Sequence, residues 1–131
     1  MSESPLILIV EDYENKQYLA RLVLERDGCR VDLAGTLVEA LYRISIRPPD
    51  LILIDIRLGG EDRGSFTSRL KANPATATIP IVALTAPAMA GDRKELLAAG
   101  FEGYISKPID TRTFTAQVRR HLPQQGSPKA A

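Results

Sequence analysis

The sequence predicts an α/β domain built on a doubly wound, five-stranded parallel sheet, and three observations carry that prediction. Five short apolar runs recur along the chain: Leu6–Val10, Val31–Ala34, Leu51–Ile54, Ile81–Leu84 and Tyr104–Ile105. The first and third are unbroken leucine and β-branched residues with no polar alternation, as in strands buried on both faces of a parallel sheet. Segments with helical spacing lie between the runs. Strand and helix thus alternate five times, which requires crossover connections of one hand.

The first helix is read within Glu14–Asp27, where Leu19, Leu22 and Val23 form an apolar stripe and Gly28 supplies a C-terminal stop. The second carries Leu37, Ala40, Leu41 and Ile44 at the i, i+3, i+4, i+7 spacing of a buried face. A shorter helix is expected over Gly64–Ala72, and another over Ala88–Ala99 ending at Gly100. The last contains Phe114, Val118 and Leu122, with Asp110 as its N-cap and Pro123 ending it. The fifth strand is short, and its assignment rests on its place in the alternation.

The 131 residues suit one domain. Residues 1–122 are expected to form it, and Pro123–Ala131, rich in Gln, Gly, Ser and Pro, a frayed tail. Seventeen basic residues against sixteen acidic ones give a formal charge of +1, which argues against a general nucleic-acid or membrane binder. Cys29 is the only cysteine, so no intramolecular disulfide can form, and it reads as a half-buried packing residue. No apolar run approaches the ~18 residues that span a bilayer, and a cytoplasmic location is expected.

In a doubly wound sheet, ligands bind beyond the C-terminal ends of the strands, where strand order reverses. The residues that follow the apolar runs are Glu11 and Asp12, Asp55, Thr85, and Lys107 with Pro108. Taken singly, Asp12 reads as a helix cap, Asp55 as a turn residue, Thr85 as another cap and Lys107 as a solvated charge. Their joint arrival at the ligand edge favours a site. Clustered carboxylates repel one another unless a cation intervenes. Oxygen ligands without nearby His or Cys favour Mg²⁺, which readily takes phosphate as a further ligand. With Lys107 balancing charge and the Thr85 hydroxyl able to donate, the set suits a phosphoryl group on a carboxylate.

At this point the sequence resembles the receiver domain of bacterial two-component response regulators. The matching segments are ILIVEDYENK, PDLILIDIRL, IPIVALTA and AGFEGYISKPID, in order and at family spacing from Leu6 to about Leu122. The resemblance implies a flavodoxin-like (βα)5 fold with strand order 2-1-3-4-5. It implies that Asp55 accepts phosphate from a phosphohistidine on a sensor histidine kinase or phosphotransfer protein. Asp12 and Glu11 would hold Mg²⁺ with Asp55 and the backbone carbonyl of Arg57. Lys107 would contact the phosphoryl oxygens, Thr85 would move toward them, and Tyr104 would swing into the space Thr85 leaves. A downstream protein would dock on the Ala88–Ala99 helix and the face of strand five, a face also open to a homodimer.

The loop after Asp55 departs from the family. Gly59 stands where a proline is common and Arg63 where a glycine is common; the adjacent glycines Gly59 and Gly60 are expected to make this loop looser, which leaves its conformation and the start of the third helix open. His121 is a poor relay group, being expected on the surface of the last helix. Two other functions compete. An FMN-binding electron carrier of flavodoxin type shares the architecture, but the loop Glu11-Asp12-Tyr13-Glu14 would repel a flavin phosphate. A carboxylate-nucleophile phosphatase would want a second aspartate at position 57, which is Arg.

Overall fold

The computed structural model describes residues 4–11, 17–55, 63–85, 97–98, 100–106 and 108–122. Five strands form one parallel sheet: β1 (Leu6–Val10), β2 (Arg30–Ala34), β3 (Leu51–Asp55), β4 (Ile81–Thr85) and β5 (Gly103–Ser106). Their order is β2-β1-β3-β4-β5, and every pairing is parallel. Four helices are described along their length: α1 (Gln17–Arg26), α2 (Leu37–Ile46), α3 (Arg63–Ala72) and, near the C-terminus, α4 (Phe114–Arg120). The fold class and strand order are those the sequence implied. The helix read over Ala88–Ala99 lies outside the described residues except Leu97 and Ala98, which are helical. Pro123 and the expected tail lie outside them as well.

Strand alternation divides the core in two. Leu8 and Val10 of β1, Ile52 and Ile54 of β3, and Ile81 and Ala83 of β4 pack with α2 and α3 through Ala40, Ile44, Phe66 and Leu70. The intervening Ile7, Ile9, Leu51, Leu53, Val82, Leu84 and Ile105 pack with α1 and α4 through Ala20, Val23, Leu24, Phe114 and Val118. With both faces covered, β1 and β3 are buried throughout, which explains why their sequences lack alternation. Among the described residues no helix is long and apolar enough to cross a membrane.

The helix ends follow local chemistry. Gly28 ends α1 at φ +95°, with Cys29 N–H donating to Leu24 O and Gly28 N–H to Glu25 O, the Schellman pattern. Gly100 has φ +106°, and a Cβ there would sit 3.3 Å from the Thr67 Cβ of α3, so conformation and close approach both select glycine. At the start of α2, Thr36 Oγ1 accepts the Glu39 N–H, while Glu39 Oε1 accepts the N–H of Gly35. That is a capping box reaching one residue further back than usual.

Several sequence expectations are corrected. The buried stripe of α1 is Ala20, Val23 and Leu24, while Leu19 and Leu22 are 45% and 57% exposed. The helix is apolar on two adjoining stripes, and the one that leads into the Leu24–Cys29 cap faces the sheet. The N-cap of α4 is Thr113, which makes no side-chain cap bond. Asp110 instead organises the preceding turn: its carboxylate accepts the Arg112 N–H and its carbonyl the N–H groups of Thr113 and Phe114. Cys29 is fully buried rather than half-buried, and burial raises its thiol pKa.

His121 is not on the surface of the last helix either. It is the C-cap of α4 and half-buried. Its ring lies so close to Gly103 that a Cβ there would collide with Cε1 and stand 3.0 Å from Nε2. Burial pushes the imidazole below its ordinary value; Arg120 adds to this and Glu102 opposes it. The folded chain therefore binds the proton less readily than the unfolded one, so stability is full above about pH 6.5 and declines as pH falls below it. Urea unfolding at about pH 7.5 and 5.5 should show this loss. In His121→Gln the difference between the two pH values should shrink; an unchanged difference would remove His121 as its source.

Candidate functional site

The sheet's two edges use carboxylates differently. At the edge where the strands begin, Asp50 and Glu102 serve as backbone clamps. Asp50 Oδ2 accepts the Leu6 N–H at 2.7 Å, and Asp50 N–H donates to Leu6 O at 2.7 Å. Glu102 repeats the device on β4: Oε1 accepts the Ile81 N–H, its own N–H donates to Ile81 O, and Oε2 accepts from Lys71 Nζ at 2.8 Å. These groups satisfy first-residue donors that would otherwise lack a ladder partner. The sequence reading missed both. The signal was an acidic residue immediately before Leu51, and one residue before β5.

At the opposite edge the carboxylates are held at strand ends. Strand order reverses between β1 and β3, since the chain leaves β1 for β2 on one side and continues from β3 to β4 on the other. Val10 of β1 is in register with Ile54 of β3, so the next residues, Glu11 and Asp55, are level on adjacent strands. Neighbouring strands lie about 4.8 Å apart. Glu11 is 4% exposed and its N–H donates to Ala34 O at 2.9 Å, extending the pairing with β2 by one residue. Asp55 is the last residue of β3, 1% exposed, and paired in register with Leu84.

The next two strands bring their ends to the same edge. Thr85 ends β4, one position beyond the partner of Asp55, and pairs with Ser106 at the end of β5. Lys107 follows Ser106 in sequence. Tyr104 pairs with Ala83 and is half-buried against the α2–α3 side of the core. The structure thus brings Glu11, Asp55 and the strand position of Thr85 to one edge. Asp12, Arg57 and Lys107 lie outside the described residues.

The donor set fits a hard cation. Both described acids are carboxylates at one level of the sheet, and no cysteine or histidine lies on these strand ends. Among the described residues no group of three or more His, Cys, Asp or Glu side chains forms a metal cluster, so a third acidic ligand would have to come from outside them.

A sheet of order 2-1-3-4-5 with two buried carboxylates on adjacent strand ends at its reversal point defines a doubly wound α/β domain with an acidic edge where sheets of this class bind ligands. The family model for the response regulator receiver domain matches residues 7–119, and the chain belongs to that family of two-component signalling proteins. It is 36% identical over 116 residues to the polar-differentiation response regulator DivK of Brucella ovis, covering 88% of this chain and 94% of DivK. It is also 36% identical over 118 residues to the phosphate regulon transcriptional regulatory protein PhoB of Rhizobium meliloti, where 90% of this chain spans only 52% of the relative. Among solved structures, the receiver domain of a sensor histidine kinase of Pseudomonas aeruginosa PAO1 is 33% identical, with a TM-score of 0.77 over 90% of this chain and 97% of that one. That protein is described with a magnesium ion coordinated in its active-site cleft.

Proposed function

We propose that this chain is a phospho-accepting switch in a two-component phosphorelay, with Asp55 as the phosphorylated residue. The observation that carries the reading is a fully buried carboxylate ending the central strand at the sheet's reversal point, level with Glu11 on the adjacent strand. The donor is a phosphohistidine on a sensor histidine kinase or a histidine phosphotransfer protein. A carboxylate oxygen of Asp55 forms the bond to phosphorus, the phosphorus–nitrogen bond breaks, and imidazole leaves with the electron pair and is then protonated. Water later attacks the acyl phosphate, releasing inorganic phosphate and restoring the carboxylate. The chain is a switch that carries out its own phosphorylation and dephosphorylation, and not an enzyme acting on a separate substrate.

Glu11, Asp12, Asp55 and the Arg57 carbonyl would hold Mg²⁺, which when bound offsets the negative charge of the acids and of the incoming phosphoryl group. Asp55 is positioned by the β1 and β4 ladders on either side, so the nucleophile is pre-oriented rather than recruited from a loop. Lys107 follows β5 and balances phosphoryl charge, while the Thr85 hydroxyl donates to a phosphoryl oxygen. Tyr104, half-buried on the neighbouring strand, couples this edge to the face of β5 and the segment Ala88–Ala99. A downstream protein docks there in the phosphorylated state, or a second copy does. The chain is expected to act in the cytoplasm without binding nucleic acid directly.

Incubation with acetyl phosphate and Mg²⁺ tests the reading. One phosphoryl group per chain should appear, labile to hydroxylamine and base, and a chelator should prevent it because the clustered acids then repel the donor. Labelling that persists with chelator, or that resists hydroxylamine, would contradict an acyl phosphate at a metal-assisted site.

A further inference from the structure

The outer face of α2 has no role in the phosphoryl site, yet it carries the largest aligned apolar exposure among the described residues. Val38, Tyr42 and Ile46 are 77%, 65% and 62% exposed. Their spacing of four places them on one stripe. The helix beneath is well fixed: Ala40 and Ile44 are buried, Leu37 and Leu41 pack against the core, and Thr36 caps the first turn. Arg47, just past the helix, is tied to Asp32 at 2.8 Å. A solvent-facing helix ordinarily carries polar residues on such a stripe.

We infer that this stripe is a self-association surface, on which α2 of a second copy packs antiparallel about a two-fold axis through Tyr42. The stripe is its own complement. With the axis at Tyr42, Val38 of one copy lies level with Ile46 of the other at both ends, and the two Tyr42 rings meet at the centre.

The charges agree with this arrangement. Glu39 and Arg43 pair within one helix at 3.4 Å, and at about 100° per residue both fall on the same flank of the stripe. A two-fold perpendicular to the helix pair brings the equivalent flanks together in opposite directions. Arg43 of the second copy is then level with Leu41, about 3 Å along the axis from Glu39, so each intramolecular pair can be exchanged for a reciprocal pair across the interface. A patch of one sign would repel its copy; this one does not.

Ten residues of helix span only about 15 Å, so the contact falls below the ~800 Å² per partner of a stable interface and the dimer is weak and concentration-dependent. The inference does not depend on phosphorylation, because the stripe is separate from the strand ends that form the candidate site.

Sedimentation equilibrium on the full chain, with no phosphodonor or Mg²⁺, tests it. The weight-average mass should rise from one chain toward two as concentration approaches about 1 mM, and Tyr42→Glu should weaken association by about tenfold or more. Because Tyr42 is exposed, circular dichroism of that variant should match the parent. Arg43→Glu, which leaves the Thr36–Glu39 cap in place, should weaken association by setting like charges on the facing flanks. A parent that stays monomeric at about 1 mM overturns the proposal and leaves the stripe to a different protein. Self-association unchanged by Tyr42→Glu overturns it equally.

Discussion

Asp55→Asn is expected to abolish phosphoryl capture while leaving the fold intact. The amide matches the carboxylate in shape but lacks its nucleophilic oxygen, and the ladders of β1 and β4 hold the position in either case. Intact-protein mass after acetyl phosphate treatment should show one added phosphoryl group on the parent and none on the variant. Circular dichroism should show both folded. Full labelling of the folded variant would move the acceptor elsewhere.

The largest stability effect is expected at Phe114. Its ring is fully buried at the first position of α4 and is the largest fully buried side chain described, packed with Leu24, Leu53, Leu84 and Ile105 on the α1 side of the sheet. Removing a buried phenyl ring costs about 3–5 kcal/mol through lost burial and the cavity left behind. Domains of this size have about 5–15 kcal/mol in total, so Phe114→Ala should lower the urea midpoint steeply or leave the chain largely unfolded. A loss below about 1 kcal/mol would mean that α4 is not anchored through this residue.

The sequence was most informative where one physical cause dominates. Strands buried on both faces must be apolar throughout, so the runs at Leu6 and Leu51 located the two central strands and, by their ends, Glu11 and Asp55. Gly28 and Gly100 marked helix ends because a positive φ selects glycine. Where two causes compete, the residues alone were ambiguous. Leu19 and Leu22 form as good a stripe as Ala20 and Leu24, and only packing against the sheet separates them. Asp110 has the chemistry of a helix cap but caps a turn, since the chain adds one before α4 begins. His121 looked exposed because nothing in its neighbourhood shows that Gly103, eighteen positions earlier, leaves room for its ring. Asp50 and Glu102 were passed over because their partners are backbone groups on other strands, 44 and 21 positions away.

The central claim is that a phosphoryl group rests on Asp55, and borohydride trapping tests it most directly. Reduction of the phosphorylated chain converts an acyl phosphate to the corresponding alcohol, so an aspartyl phosphate leaves homoserine at its own position. Peptide sequencing by mass spectrometry should place homoserine at residue 55 in the phosphodonor-treated sample and nowhere in the untreated one. Reduction at Asp12 or at Glu11 instead, or no reduced residue in a chain that carries phosphate, would contradict the account.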